Sequence, residues 1–86
     1  MKTPFEAGKS YFIRTVTYHF IGKLRTIVGQ FLILGNASWV ADSGRFHEAL
    51  ETGSLSESEY IGEIFVNIQT ITDATIWEHE LPTESI

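Results

Sequence analysis

The sequence predicts an all-β domain, a small and strongly bent β-barrel, and three observations carry that reading. Residues Tyr18 to Asn36 read as two adjacent strands joined by a tight glycine turn at Gly29-Gln30. A separate strand pair follows late in the chain, around Ile64 to Ile71. A polar insert divides the two blocks, so they must meet in space and not in sequence. A chain of 86 residues allows one domain. At that size only about 60–65% of the unfolded surface is buried, so the core needs help from disulfides, metal or oligomerisation. There is no cysteine, and the three histidines (His19, His47, His79) fall in separate segments without ligand spacing. Oligomerisation is the aid that remains. With 43% hydrophobic and 13% aromatic residues the chain is too apolar to be disordered.

Taken in order, residues 1–9 hold Pro4 and Gly8 and read as a lead-in arm. From Tyr11 to Val28, Phe, Ile, Val, Thr, Tyr and Leu dominate, which are residues that suit a pleated, half-buried surface. Val16, Tyr18, Phe20 and Leu24 alternate with Arg14, Thr15, Thr17, His19 and Lys23. That stretch is too long for one strand of a small domain, and a break or sharp bend is expected at or near Gly22. Gly29 permits the hairpin turn into Phe31–Leu34. Gly35-Asn36 reads as a bulge, with Ala37 to Val40 continuing the strand. Asp42 or Ser43 is placed to cap a short helix. On that helix Phe46 and Leu50 share one face, His47 and Glu51 another. Gly53 is placed to end it in a left-handed cap. Residues 54–59 read as a mobile polar loop. A strand from near Tyr60 follows, then a further strand from Ile71 to Trp77 with Asp73 a kink. Residues 78–86 read as a loosely held acidic tail.

Charge is unevenly placed. Residues 1–41 carry Lys2, Lys9, Arg14, Lys23 and Arg25 against Glu6, whereas residues 42–86 carry Arg45 against ten acidic residues, for a total of −5. An acidic total excludes broad charge-driven nucleic-acid binding, which needs many phosphate-neutralising cations. It leaves room for a local basic surface of Arg14, Lys23 and Arg25, which otherwise form a solvated face or pair with acidic neighbours. No run approaches a membrane span, and the N-terminal residues show no apolar signal region, so a cytoplasmic protein is expected. For catalysis there is no Gly-x-Ser-x-Gly, no phosphate-loop signature and no cysteine nucleophile. His47 and Glu48 point to different helix faces. Asp73 with Glu78 or His79 is the one acid/base set on offer, and surface or turn roles account for it. A non-enzyme without cofactor or metal is expected. Trp39 and Trp77 read as packing residues.

Gly22-Lys-Leu24, the run Gln30-Phe-Leu-Ile-Leu34 and the strand-turn-restart Phe65-Val-Asn-Ile-Gln-Thr-Ile71 together resemble the Sm-like proteins, which include the Sm and LSm subunits and the bacterial host-factor RNA chaperone. The resemblance covers roughly residues 11–40 and 60–77. It implies a five-stranded, strongly bent SH3-like barrel, here with one short helix inserted between strands three and four. It also implies a homo-oligomeric ring closed by edge-strand pairing, of five to seven subunits. Gln30 and Phe31 then sit where the family contacts bases, the aromatic by stacking and the amide by hydrogen bonding. Asn67 falls at the second-motif turn, facing the same pore. The implied partner is single-stranded RNA, U- or A-rich. Departures are clear: Val28 and Gly29 replace the usual acidic turn residue, Asn67-Ile68 replaces the Arg-Gly or Lys-His pair, the Asn that follows the Met in Sm subunits is absent, and the N-terminal helix is missing. A short, divergent version of this kind suits a phage genome. Two functions therefore stand beside each other, an RNA-binding ring and a structural or assembly ring that binds protein, with an enzyme subunit a third class.

Overall fold

The first strand ends where a threonine side chain can close a turn. Residues 4–42, 45–55 and 57–82 are described by a computed structural model. Strand β1 is Ser10–Thr15 and β2 is His19–Val28. Between them Thr15 Oγ1 donates to Tyr18 O at 2.7 Å and accepts from Tyr18 N–H at 3.0 Å. The Thr15 N–H also donates to Tyr18 O at 2.8 Å. The long apolar stretch therefore breaks at residues 16–18, and the bend expected near Gly22 is present as well, since the register of β2 against the next strand shifts between Ile21 and Lys23, at Gly22. A Cβ there would lie 3.0 Å from Ala37 Cβ and 3.1 Å from Leu34 Cβ, so its bare backbone lets β2 and the next strand cross closely.

Gly29 and Gln30 form the turn into β3, Phe31–Asp42. Register shifts interrupt the β2–β3 ladder between Ile21 and Lys23 and between Leu24 and Thr26. The β3–β4 ladder shifts between Leu34 and Ala37, around Asn36 at φ 48°. Extra residues of this kind bend a strand and increase its twist. Helix α1 spans Phe46–Thr52. Its N-cap is Arg45, which makes no side-chain cap bond, in place of the expected Asp42 or Ser43; the Asp42 side chain and Ser43 lie outside the described residues. The C-terminus behaves as expected: Gly53 sits at φ 76°, and its N–H donates to Ala49 O at 2.8 Å. Leu50 packs on the core, the Phe46 side chain lies outside the described residues, and His47 Nε2 is 2.8 Å from Glu51 Oε1.

Strand β4 is Glu57–Asn67, a 3-10 turn covers Ile68–Thr70, and β5 is Ile71–Ile76. The expected loop over 54–59 is thus shorter, because Leu55 and Ser58 are buried and pull the chain into the sheet. The kink in β5 is one residue early, where Thr72 is the extra residue between Ile71 and Asp73 opposite Thr15 and Arg14.

All pairings are antiparallel, in the order β4-β3-β2-β1-β5. Strands β4 and β5 are the two edges and do not pair with each other, so the sheet is not closed. Both faces are used. One buries Tyr11, Ile13, Leu24, Leu32, Leu34, Ala37 and Val66. The other buries Phe12, Ile21 and Val40 beneath Ala49, Leu55 and Trp77. Residues 78–82 are not a loose tail. Trp77 Nε1–H donates to Glu80 O at 3.3 Å, and Leu81 packs on the second cluster. His79 Nε2 lies 2.7 Å from Leu50 O and, since a carbonyl only accepts, donates to it. The arm is held as well: Phe5 meets Tyr11 edge-on at 5.0 Å, and Gly8 N–H donates to Leu24 O at 2.7 Å.

Candidate functional site

Two turns from distant parts of the sequence lie side by side at one end of the sheet. The β2–β3 turn carries Gln30 and Phe31, and the end of β4 carries Asn67. Phe31 and Asn67 are direct cross-strand partners, and Ile68 N–H donates to Gln30 O at 2.8 Å. The three residues expected from the sequence to contact a base thus stand in one cluster. Gln30 is exposed. Asn67 accepts from Gln69 N–H through Oδ1 at 2.9 Å, while its backbone oxygen accepts from Thr70 Oγ1 at 2.7 Å. Its amide oxygen is therefore engaged in capping the 3-10 turn.

The ladder adds residues that the sequence motifs did not single out. Val28 stands opposite Phe31, and Ile33 stands opposite Phe65. Period-2 alternation puts all four on the face away from Leu32, Leu34 and Val66. Val28 is 60% exposed, Phe31 40% and Phe65 64%, so the quartet is an open apolar patch beside the turns. The signal was present: Phe65 alternates with the core-facing Ile64 and Val66. Only the register shows that it shares a face with Phe31.

The expected basic surface is dispersed. Arg14 donates through Nε to Asp73 Oδ1 at 2.7 Å and through Nη2 to Asp73 Oδ2, a two-pronged pair across β1 and β5. These hydrogen bonds hold the Asp73 carboxyl below its usual range and push the Arg14 guanidinium up. The Arg25 guanidinium lies across Gly35, whose hypothetical Cβ would be 2.0 Å from Arg25 Nε. Lys23 lines a hollow with Ser10, Asn36 and His79, against the C-terminal segment. Lys9 is paired with Glu6 at 2.7 Å, which raises the Lys9 amine and lowers the Glu6 carboxyl through their hydrogen bond.

The acid/base candidates are likewise committed elsewhere: Asp73 to Arg14, His79 to the Leu50 carbonyl, and His47 to Glu51 rather than to its neighbour Glu48. Trp77 is buried, as a packing residue should be, whereas Trp39 is half-buried. Among the described residues no group of three or more His, Cys, Asp or Glu is placed to hold a metal ion. No helix among them is long and apolar enough to cross a membrane. Comparison with family models, curated proteins and solved structures gives no match.

Proposed function

We propose that this chain is a divergent Sm-like subunit that forms a homo-oligomeric ring and binds single-stranded RNA at the Gln30–Phe31–Asn67 cluster. The observation that carries the RNA reading is the juxtaposition of Phe31 with Asn67 and Gln30, with Phe65 exposed on the same face. Every base has a π-face, so two open aromatic rings suit stacking without demanding a long basic groove. The Gln30 amide then contributes a donor and an acceptor to a base edge.

The ring reading rests on the edges. Strands β4 and β5 lie at opposite ends of a bent, barrel-like sheet, and β5 carries neither lysine nor proline to discourage pairing. Pairing β4 of one copy with β5 of the next is head-to-tail and closes when the rotation per copy divides a circle, with five to seven copies the expected range. The net charge of −5 and the few free cations favour a second reading, a scaffold ring whose apolar quartet takes protein instead. Titration with short oligo-U and oligo-A across a salt series separates the two. The RNA reading expects binding that strengthens at low salt with a shallow slope and that Phe31→Ala weakens about tenfold or more; no binding at low salt overturns it. Native mass spectrometry expects a single ring species, and a monomer defeats the ring.

A further inference from the structure

Arg14 is spent on Asp73 and Lys9 on Glu6, but Lys23 and Arg25 make no ion pair and no side-chain hydrogen bond among the described residues. These two cations meet at Gly35. Lys23 is the cross-strand partner of Gly35, and side chains directly opposite each other share a face. Arg25 is the extra residue at the register shift between Leu24 and Thr26. Its guanidinium lies on that same face, since a Cβ at Gly35 would be 2.7 Å from Arg25 Cζ. The bare Gly35 lets the guanidinium lie against the strand beside Lys23. Lys23 also lines a hollow of about 530 Å³ with Ser10, Asn36, His79 and Glu80. The face then runs on to the open apolar quartet. Phe31, Ile33 and Gly35 alternate along β3, and Phe65 stands opposite Ile33. Gly35 is two residues, about 7 Å, from the Ile33–Phe65 pair. Two exposed rings and two unpaired cations therefore lie in line. The neighbouring carboxylates are Glu80, in the hollow, and Glu63, which alternates with Phe65 opposite the bulge at Asn36. Neither forms an ion pair with Lys23 or Arg25.

We infer that Lys23 and Arg25 hold the phosphodiester backbone of a single strand whose bases stack on Phe31 and Phe65. This rests on the RNA reading and supplies what that reading lacks, a place for the phosphates. The chain has 11 acidic residues against six basic ones, so a cation is easily matched. Two cations left unmatched at one point ask for an anion from outside. The neighbouring rings decide which anion. A free phosphate meets the cations alone, and an apolar segment meets the rings alone. A nucleotide strand repeats an anion and a flat ring in every unit, so it meets both. The planar Arg25 fork suits two oxygens of one phosphate, and Lys23 acts as a point charge beside it. Such contacts position the strand and carry no sequence information, which leaves base choice to the Gln30–Phe31–Asn67 cluster.

The test is the salt dependence of oligo-U and oligo-A binding by the full chain and its variants. Each phosphate neutralised on a single strand adds about −0.7 to the slope of log K against log salt. Lys23→Gln and Arg25→Gln, both at exposed positions, should each make the slope shallower by about 0.7 and weaken the two oligomers to the same degree. Arg25→Lys keeps the charge and should keep the slope. Glu63→Gln should tighten binding. Phe31→Ala should lower affinity and leave the slope as it is, and Lys9→Gln, whose cation is already spent on Glu6, should change neither. Binding whose slope neither Gln variant moves overturns this inference and leaves the RNA reading standing. No binding by the parent chain at low salt overturns both. Loss of the ring species in native mass spectra of the Gln variants, with the slope unmoved, also overturns it and assigns the two cations to carboxylates of a second copy.

Discussion

The second face of the sheet has two halves built from the same strands and treated in opposite ways. Near the start of β2 and the end of β3, Ile21 and Val40 are sealed beneath Ala49, Leu55, Trp77 and Leu81. Near the β2–β3 turn, Val28, Phe31 and Phe65 stand open. The residue types do not differ in kind. What differs is which half the helix and the C-terminal segment reach. The covered half is packed, and the open half is left exposed.

The largest break in that contrast comes from removing the cover. Trp77→Ala should cost about 3–5 kcal/mol, a large share of what a domain this small can hold, read as the shift of a urea unfolding midpoint. A loss below about 1 kcal/mol would mean that the C-terminal segment does not hold the covered half. On the open half, Phe31→Ala and Phe65→Ala should each lower oligo-U affinity about tenfold or more, as stacked bases do. The same variants should shift folding stability by no more than about 0.5 kcal/mol. A stability loss on the scale of Trp77→Ala would show instead that the open half is packed.

The latch between helix and C-terminal segment gives a smaller effect. At Gly53 a Cβ would meet His79 Cγ at 2.7 Å with φ at 76°. Gly53→Ala should therefore cost about 1–2 kcal/mol from the left-handed backbone, with the His79 ring resonances moving as the contact is displaced. The smallest effect is expected at the β1–β5 seam, which neither half uses. Asp73 is held below its usual value by its Arg14 hydrogen bonds, so the folded state releases this proton more readily than the unfolded chain. The pair's stabilisation is present above the unfolded carboxylate pKa of about 3.9 and is lost as pH falls through the lower folded value. The two partners are substantially exposed, so water screens them. Asp73→Asn should lower Tm slightly at pH 6, and the gap to the parent chain should close as pH falls well below 4. A gap that persists in acid would locate the effect in packing.

Much of the β framework was legible in residue pattern. The Gly29-Gln30 turn, the Asn36 bulge, the Gly53 cap and the helix between strands three and four all follow from local chemistry. The bend at Gly22 was legible, but the turn at residues 16–18 was not, because a threonine hydroxyl closes it inside a run that reads as strand. The loop at 54–59 and the tail at 78–82 were misread for one reason. Leu55 stands alone in a polar run, and Trp77, His79 and Leu81 alternate with acidic residues just before a proline, so nothing local shows that they pack against residues far away in the chain. In the candidate site, Gln30, Phe31 and Asn67 were named from motifs, but Val28 and Phe65 needed the ladder register.

The sequence by itself determined the all-β class, the turns and caps, the uneven charge and the residues offered at each turn, because these depend on side-chain preference over a few neighbouring positions. Tertiary structure alone decided that Phe31 faces Asn67 and that Arg14 is spent on Asp73. It alone decided that β4 and β5 become the edges of the sheet. Those outcomes follow from register and from which segments fold back over which face. One residue of slip moves a side chain to the other side of a sheet, and no local preference encodes that choice.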